Sequence, residues 1–338
     1  MVRASRWRRP RYWLWLAVLL LLVWLLQTVS PAEVGRVLGR LSLGPVLLWL
    51  AANGLVLLSL SGRWWLVLRA QGYRLPYLTL VGYRLAAFGV SYFTPGPHFG
   101  GEPLQVYLVQ RHQRVPGAAA IAAVTLDKLL ELLVNFGFLA GGLLLVLQQR
   151  IFVGLPAMLL TGLGVALLAV PLVTLLSLSA GGAPFSAVLR LIDWLALMLS
   201  GSAGERLSGS VFYRQATVAA RASEQQVTDV CRHHKAALLL ALAASIVNWG
   251  LLVAEYWLAL HFLGVTLTPA QTIIALTAAR VAILLPLPGG LGALEASQVL
   301  ALQVLGFEPA IGLSLGLLIR TRDVLLGGLG LWWGGLKS

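Results

Sequence analysis

Charge and cysteine are both scarce in this chain. Charged residues occupy 11% of its 338 positions, about half the share found in a typical soluble domain. The single cysteine, Cys231, excludes an intrachain disulfide and a thiolate metal site. The sequence also lacks a Gly-Lys-Ser/Thr phosphate loop, a Gly-x-Ser-x-Gly elbow, a His-Glu-x-x-His zinc motif and an Asp-x-Asp pair. We therefore expect no metal, no cofactor and no large soluble catalytic domain.

Long apolar runs take the place of these features. Hydrophobic residues make up 59% of the chain, and its mean hydropathy is +0.85. Six runs are near or above the length that crosses a bilayer: 13–29, 44–60, 118–147, 151–178, 236–264 and 311–335. They predict an all-α, polytopic integral membrane protein with about six full crossings. The first run follows five arginines but no convincing cleavage site, so we interpret it as an uncleaved membrane helix.

The net charge of +13 is distributed between the apolar runs and does not form one basic face. This pattern follows the positive-inside bias, so nucleic acid is not expected and anionic lipid headgroups are the expected partners. Counting arginines places both termini in the cytoplasm. We expect the protein to lie in the cell (cytoplasmic or inner) membrane. The polar stretch 180–235 is then a cytoplasmic insert, in which 185–199 has the composition of an amphipathic interfacial helix.

Two clusters of glycine and proline interrupt apolar sequence, and each ends in a glutamate. In a bilayer, broken backbone is tolerated only where protein or a water-filled cavity covers it. We therefore predict two broken, re-entrant hairpins, 76–114 and 269–305. The residues expected to form the breaks are Pro95, Gly100 and Gly101 in the first hairpin, and Pro288, Gly289, Gly290 and Gly292 in the second.

The two hairpins fall in segments that match in outline. Charge counting makes the first enter from the cytoplasm and the second from outside. From Glu102 to Asp127, and again from Glu295 to Arg320, the spacing is 25 residues. These features predict an inverted repeat, 44–147 and 236–335, with a binding site between the repeats near the middle of the membrane.

Nine charged residues fall in or beside segments at membrane depth, where charges usually face a cavity or one another. Arg84 and Arg280 are the strongest candidates for an anionic headgroup, because a guanidinium binds phosphate with two parallel bonds. Buried ion pairs that fix helix packing are the alternative for each residue. For the two glutamates, capping of backbone amides is slightly favoured over binding a substrate amine. The full set is Arg84, Glu102, Asp127, Lys128, Glu131, Arg280, Glu295, Arg320 and Asp323.

These residues resemble the flippase-like transmembrane family of lysylphosphatidylglycerol synthases. The resemblance covers nearly the whole chain, and its most specific part is the Pro-x-Pro-Gly-Gly-Leu-Gly-x-x-Glu string at 286–295. Where the family often has an arginine, three residues after the first glutamate, this chain has Gln105. Further matching positions are Arg84, Phe93 to Pro95, Gly100 to Glu102, Tyr107, Leu108, Asp127, Arg280, Gly306 and Arg320.

The resemblance implies movement of a phospholipid or a polyprenyl-phosphate-linked lipid between leaflets, without lipid aminoacylation. Two alternatives stay open. One is an intramembrane lipid-phosphate transferase that requires a divalent metal. The other is an accessory subunit of a glycolipid or cell-envelope enzyme. A homo-oligomer and a lipid-modifying enzyme are likewise open as partners.

Overall fold

The computed structural model describes residues 23–335, except 25–26, 95–99, 150–156, 200–210, 286 and 288–289. Most of the predicted first span and the start of the run 151–178 lie outside this part, as do Pro95, Pro288 and Gly289. The described residues contain no strand. Their helices are α1 (Pro31–Leu38), α2 (Leu43–Ala70), α3 (Tyr77–Phe93), α4 (Glu102–Gln113), α5 (Gly117–Gln148), α6 (Ala157–Ser179), α7 (Pro184–Leu199), α8 (Val211–His233), α9 (Lys235–Phe262), α10 (Pro269–Ile283), α11 (Ala293–Val304) and α12 (Pro309–Gly335).

The prediction of an all-α polytopic membrane protein is confirmed. Among the described helices, α2, α5 and α9 are long and apolar enough to cross a membrane. Many large apolar side chains on the outside of the helices are exposed, as expected of a surface that lipid covers. The number of full crossings stays a prediction.

The two predicted breaks fall between helices. The first separates α3, which ends at Phe93, from α4, and the second separates α10, which ends at Ile283, from α11. Gly100, Gly290 and Gly292 have φ of 138°, 62° and 76°, values that side-chain-bearing residues rarely adopt. Whether these hairpins re-enter the membrane from one face stays a prediction.

Helices α2 and α9 pack closely against each other. Asn53 near the start of α2 donates to Glu255 near the end of α9, whereas Arg63 further along α2 donates to Ser245 nearer the start of α9. The two helices therefore run antiparallel. They have the same length of 28 residues.

Equivalent loops follow α2 and α9, and a tryptophan closes each of them. Trp65 Nε1 donates to the carbonyl oxygen of Leu75 at 3.1 Å, and Trp257 Nε1 donates to that of Leu267 at 3.2 Å. A tryptophan therefore makes the same contact with the loop after α2 and with the loop after α9.

The two loops also turn at equivalent glycines. Gly72 and Gly264 have φ of 91° and 86°. The same offset along the chain relates the two glycines, the two tryptophans and the two leucines of these loops. It is also the offset between Leu43 and Lys235, where α2 and α9 begin. At this offset α2 to α5 correspond to α9 to α12, and the inverted repeat stays a prediction.

Candidate functional site

Asp127 on α5 is the centre of a buried charge cluster, the first cluster, in which two arginines share its carboxylate. Arg63 from α2 donates from Nε to Asp127 Oδ1 at 2.7 Å, and Arg84 from α3 donates to Oδ2. All three side chains are buried. Arg63 also donates to Ser245 Oγ on α9 at 3.0 Å, so this carboxylate joins the two halves of the molecule.

The outer layer of the first cluster is partly accessible. Lys128 Nζ lies 3.2 Å from Glu102 Oε1 and 3.1 Å from Glu131 Oε1, and each of the three side chains is between a quarter and a third exposed. Glu131 also pairs with Arg63 at 3.1 Å. Glu102 accepts the backbone N–H of Gly100, which precedes the N-cap of α4, at 2.9 Å. This layer therefore holds α4 and the first break against α5.

Arg320 on α12 holds the second break in a similar way. It donates from Nε to Glu295 Oε1 at 3.0 Å, and its NH2 group lies 2.9 Å from the same oxygen. It also donates to the carbonyl oxygen of Gly290, within the break, at 3.1 Å. A fourth contact, to Tyr92 Oη on α3 at 3.1 Å, links it to the other half. The carboxylate of Glu295 is thus used in an ion pair.

Arg322 is the centre of a neighbouring group, the second cluster. It donates to Asp323 at 2.9 Å and to Asn53 Oδ1 at 2.9 Å, and it lies 3.3 Å from Glu255 Oε1. Asn53 in turn donates to Glu255 at 3.1 Å. Residues of α2, α9 and α12 therefore form this network. It is the counterpart of the Arg63–Ser245 contact between α2 and α9.

Arg280 on α10 differs from the other cations at membrane depth. Its guanidinium lies over the ring of Trp249, 4.9 Å from the ring centroid. Among the described residues, no carboxylate forms an ion pair with it, although Arg322, Asp323 and Glu255 of the second cluster and Glu131 of the first lie within electrostatic reach. Arg280 therefore lies near both clusters, and its ring contact is with Trp249.

The predicted residues divide into two groups. Arg84, Glu102, Asp127, Lys128 and Glu131 meet in the first cluster, whereas Glu295, Arg320 and Asp323 lie around the second break and the second cluster. Gly101 is needed for close packing, because its N–H donates to Ser91 Oγ at 2.8 Å and a Cβ would collide with the carbonyl oxygen of Ala87.

Sequence reasoning missed three members of these networks. Arg63 follows the apolar run 44–60, which predicts a helix end there, but α2 continues to Ala70. Glu255 is a charged residue within the apolar run 236–264, so the sequence alone could have identified it as a candidate. Arg322 adjoins two predicted residues, and only the fold shows that it, and not Arg320, reaches Glu255.

The fold and the buried charge networks define a polytopic, all-α membrane protein. A family model described as "Lysylphosphatidylglycerol synthase TM region" matches residues 12–329, and the chain belongs to this family. This confirms the resemblance read from the motifs and links the protein to lipid handling. Searches of curated proteins and of solved structures gave no match.

Proposed function

We propose that this protein is a lipid translocator of the cell membrane, which moves a phospholipid or a polyprenyl-phosphate-linked lipid between leaflets. In this proposal it is a transporter and not an enzyme. The lipid headgroup occupies the space between the two clusters while the acyl chains stay in the bilayer. Family membership supports a role in lipid handling, and the broken helices supply polar backbone at membrane depth.

The observation that carries the proposal is the position of Arg280. A cation at membrane depth is costly unless it is paired, and each of the other five described interior cations has a carboxylate partner in an ion pair: Arg63, Arg84, Lys128, Arg320 and Arg322. Arg280 has an aromatic face instead. A guanidinium that contacts the face of a tryptophan is one that can still donate two parallel hydrogen bonds to a phosphate.

The two clusters have a different role in this proposal. Arg84 neutralises Asp127 and is buried, so we assign it to the framework and not to the headgroup. The carboxylates of Glu102 and Glu131 belong to the first cluster, are partly accessible and suit an amine of a zwitterionic headgroup. A zwitterionic headgroup with its phosphate on Arg280 and its amine near Glu131 would contact both the cation and the accessible carboxylate.

The test is translocation of acyl-labelled fluorescent lipids in vesicles that contain the purified protein. The wild type should move a phosphate-bearing lipid and should fail on a neutral glycolipid of the same chain length. Arg280→Ala should lose this activity and Arg280→Lys should retain part of it. The control is Arg36→Ala, because Arg36 belongs to an exposed pair on α1. Equal transport of both lipids, or full activity of Arg280→Ala, would contradict the proposal.

A further inference from the structure

The two halves of the molecule form two equivalent seams that differ in how closely they pack. One lies between α3 and α12 and the other between α10 and α5; they correspond at the chain offset that relates Leu43 to Lys235. Helix α3 packs against α12 along most of its length, whereas α10 contacts α5 over a much shorter stretch. A repeat alone would make them alike, so the difference must come from particular side chains.

Glycines close the α3–α12 seam. A Cβ on Gly89 would lie 2.5 Å from the carbonyl oxygen of Gly327, and a Cβ on Gly330 would collide with that of Leu85. Only glycine permits helices to approach this closely. The seam is therefore filled by backbone.

The equivalent positions in the α5–α10 seam carry bulky side chains. Val281 stands where Gly89 stands in the other half, and Phe138 stands where Gly330 stands. The two helices touch where Gly142 meets Thr277. Phe138 lies one turn before Gly142 on α5 and Val281 lies one turn after Thr277 on α10, on the same faces of the two helices, and Val281 is 52% exposed.

The α5–α10 seam adjoins the candidate site. Phe138 packs on the ring of Trp249 with 4.4 Å between centroids, and the same ring carries Arg280. Two turns back along the same face of α5 lies Glu131, whose side chain is 32% exposed. The apolar residues of the α5–α10 seam thus adjoin a site that contains the Arg280 guanidinium and a partly accessible carboxylate.

We propose that the α5–α10 seam is the lateral entry for the lipid, with acyl chains between Phe138 and Val281 and the phosphate at Arg280. The inference rests on the proposed function and adds a route to it. The occupant is a membrane phospholipid, because the seam itself is apolar and its inner end bears the charge that a phosphate requires. The α3–α12 seam stays closed during transport.

A reversible plug tests the route. In a Cys231→Ser background, Val281→Cys is modified with a bulky methanethiosulfonate reagent, and translocation is measured before and after reduction. Transport should fall to the rate of protein-free vesicles and recover when the plug is reduced. The matched control is Leu325→Cys on α12, which is exposed to a similar degree, 55%, but lies outside both seams. Unchanged transport at position 281, or equal loss at both positions, would overturn the route.

A second measurement separates this route from the proposed function. A phospholipid with a photoreactive acyl chain is activated in vesicles that contain the wild-type protein, and the labelled peptides are identified by mass spectrometry. Labelling should include Phe138 and Val281 and should omit Gly89 and Gly330. No label in the α5–α10 seam overturns the route even if transport occurs. Label there without transport retains the lipid-filled seam and rejects the translocator.

Discussion

Arg63 and Asp127 form an ion pair of 2.7 Å between α2 and α5, and Arg84 binds the second oxygen of the same carboxylate. The three buried side chains carry one negative and two positive charges, and Glu131 supplies the balancing charge through Arg63. We therefore expect Asp127 to stabilise the fold of the first half.

Loss of the Asp127 carboxylate should be severely destabilising. Asp127→Ala leaves two buried guanidinium groups without their main partner, and breaking a buried pair costs about 3–5 kcal/mol. The expected result is a large fall in the yield of monodisperse protein and in its melting temperature in detergent. Glu33→Ala, which removes an exposed pair on α1, should change neither. A normal melting temperature for Asp127→Ala would show that the cluster does not stabilise the fold.

The two half-helices after the breaks should loosen independently. Glu295→Gln removes the charge that Arg320 holds, so backbone hydrogen exchange should rise in α11. Lys128→Gln should raise exchange in α4, because Lys128 joins Glu102 to α5. Each variant serves as the control for the other. Increased exchange in both helices from either substitution would mean that the two ion pairs do not act separately.

Closure of the α3–α12 seam should depend on glycine. Gly330→Ala places a methyl group against the carbonyl oxygen of Leu85, and overpacking of this kind costs about 1–3 kcal/mol. Gly328→Ala, on the same helix, meets nothing within 4 Å, so it should be neutral or slightly stabilising because alanine favours the helix. Melting temperatures of the two variants provide the comparison. Equal values would show that the seam is not packed on glycine.

Cys231 should react slowly with thiol reagents. It is buried on α8, and burial raises the pKa of its thiol to about 11. The reactive thiolate is therefore scarce at neutral pH, and the maleimide rate should increase as the pH rises towards that value. Val218→Cys in a Cys231→Ser background places an exposed thiol on the same helix as a control. Similar native rates at pH 7 would contradict the burial, whereas in denaturant the rates should converge.

The sequence predicted the helical framework well because apolar runs determine which segments enter the membrane. The runs 44–60, 118–147 and 236–264 correspond to α2, α5 and α9. The run 44–60 ends before Arg63, whereas α2 continues to Ala70. An apolar pattern stops at a charged residue, but the helix continues because distant carboxylates neutralise that charge. The nearer of those partners in sequence, Asp127, lies far along the chain on α5.

The candidate site was less predictable, since the sequence does not show which charges meet. The equal spacing of 25 residues joins an ion pair in one half, Glu295 with Arg320, but two carboxylates in the other, Glu102 and Asp127, whose partners are Lys128 and two arginines. A spacing along the chain therefore does not show which charges are partners.

The sequence also gives no reason to assign different roles to Arg84 and Arg280. At the chain offset that relates the two halves, Arg84 aligns with Leu276, and Arg280 lies one helical turn beyond it. The two arginines are therefore not in equivalent places. Each lies over a tryptophan ring, but Arg84 also pairs with a carboxylate, whereas Arg280 forms no ion pair among the described residues.

Translocation by the wild type and Arg280→Ala, measured side by side, tests the central claim most directly. Vesicles contain a phospholipid with a fluorescent acyl chain, and a membrane-impermeant reductant quenches the label in the outer leaflet. Wild-type vesicles should lose nearly all their fluorescence as inner-leaflet lipid reaches the reductant. Arg280→Ala vesicles with the same amount of folded protein should retain the inner-leaflet signal, as protein-free vesicles do. Equal quenching in both would contradict the assignment of the headgroup to Arg280, and no quenching beyond the outer leaflet in either would contradict translocation.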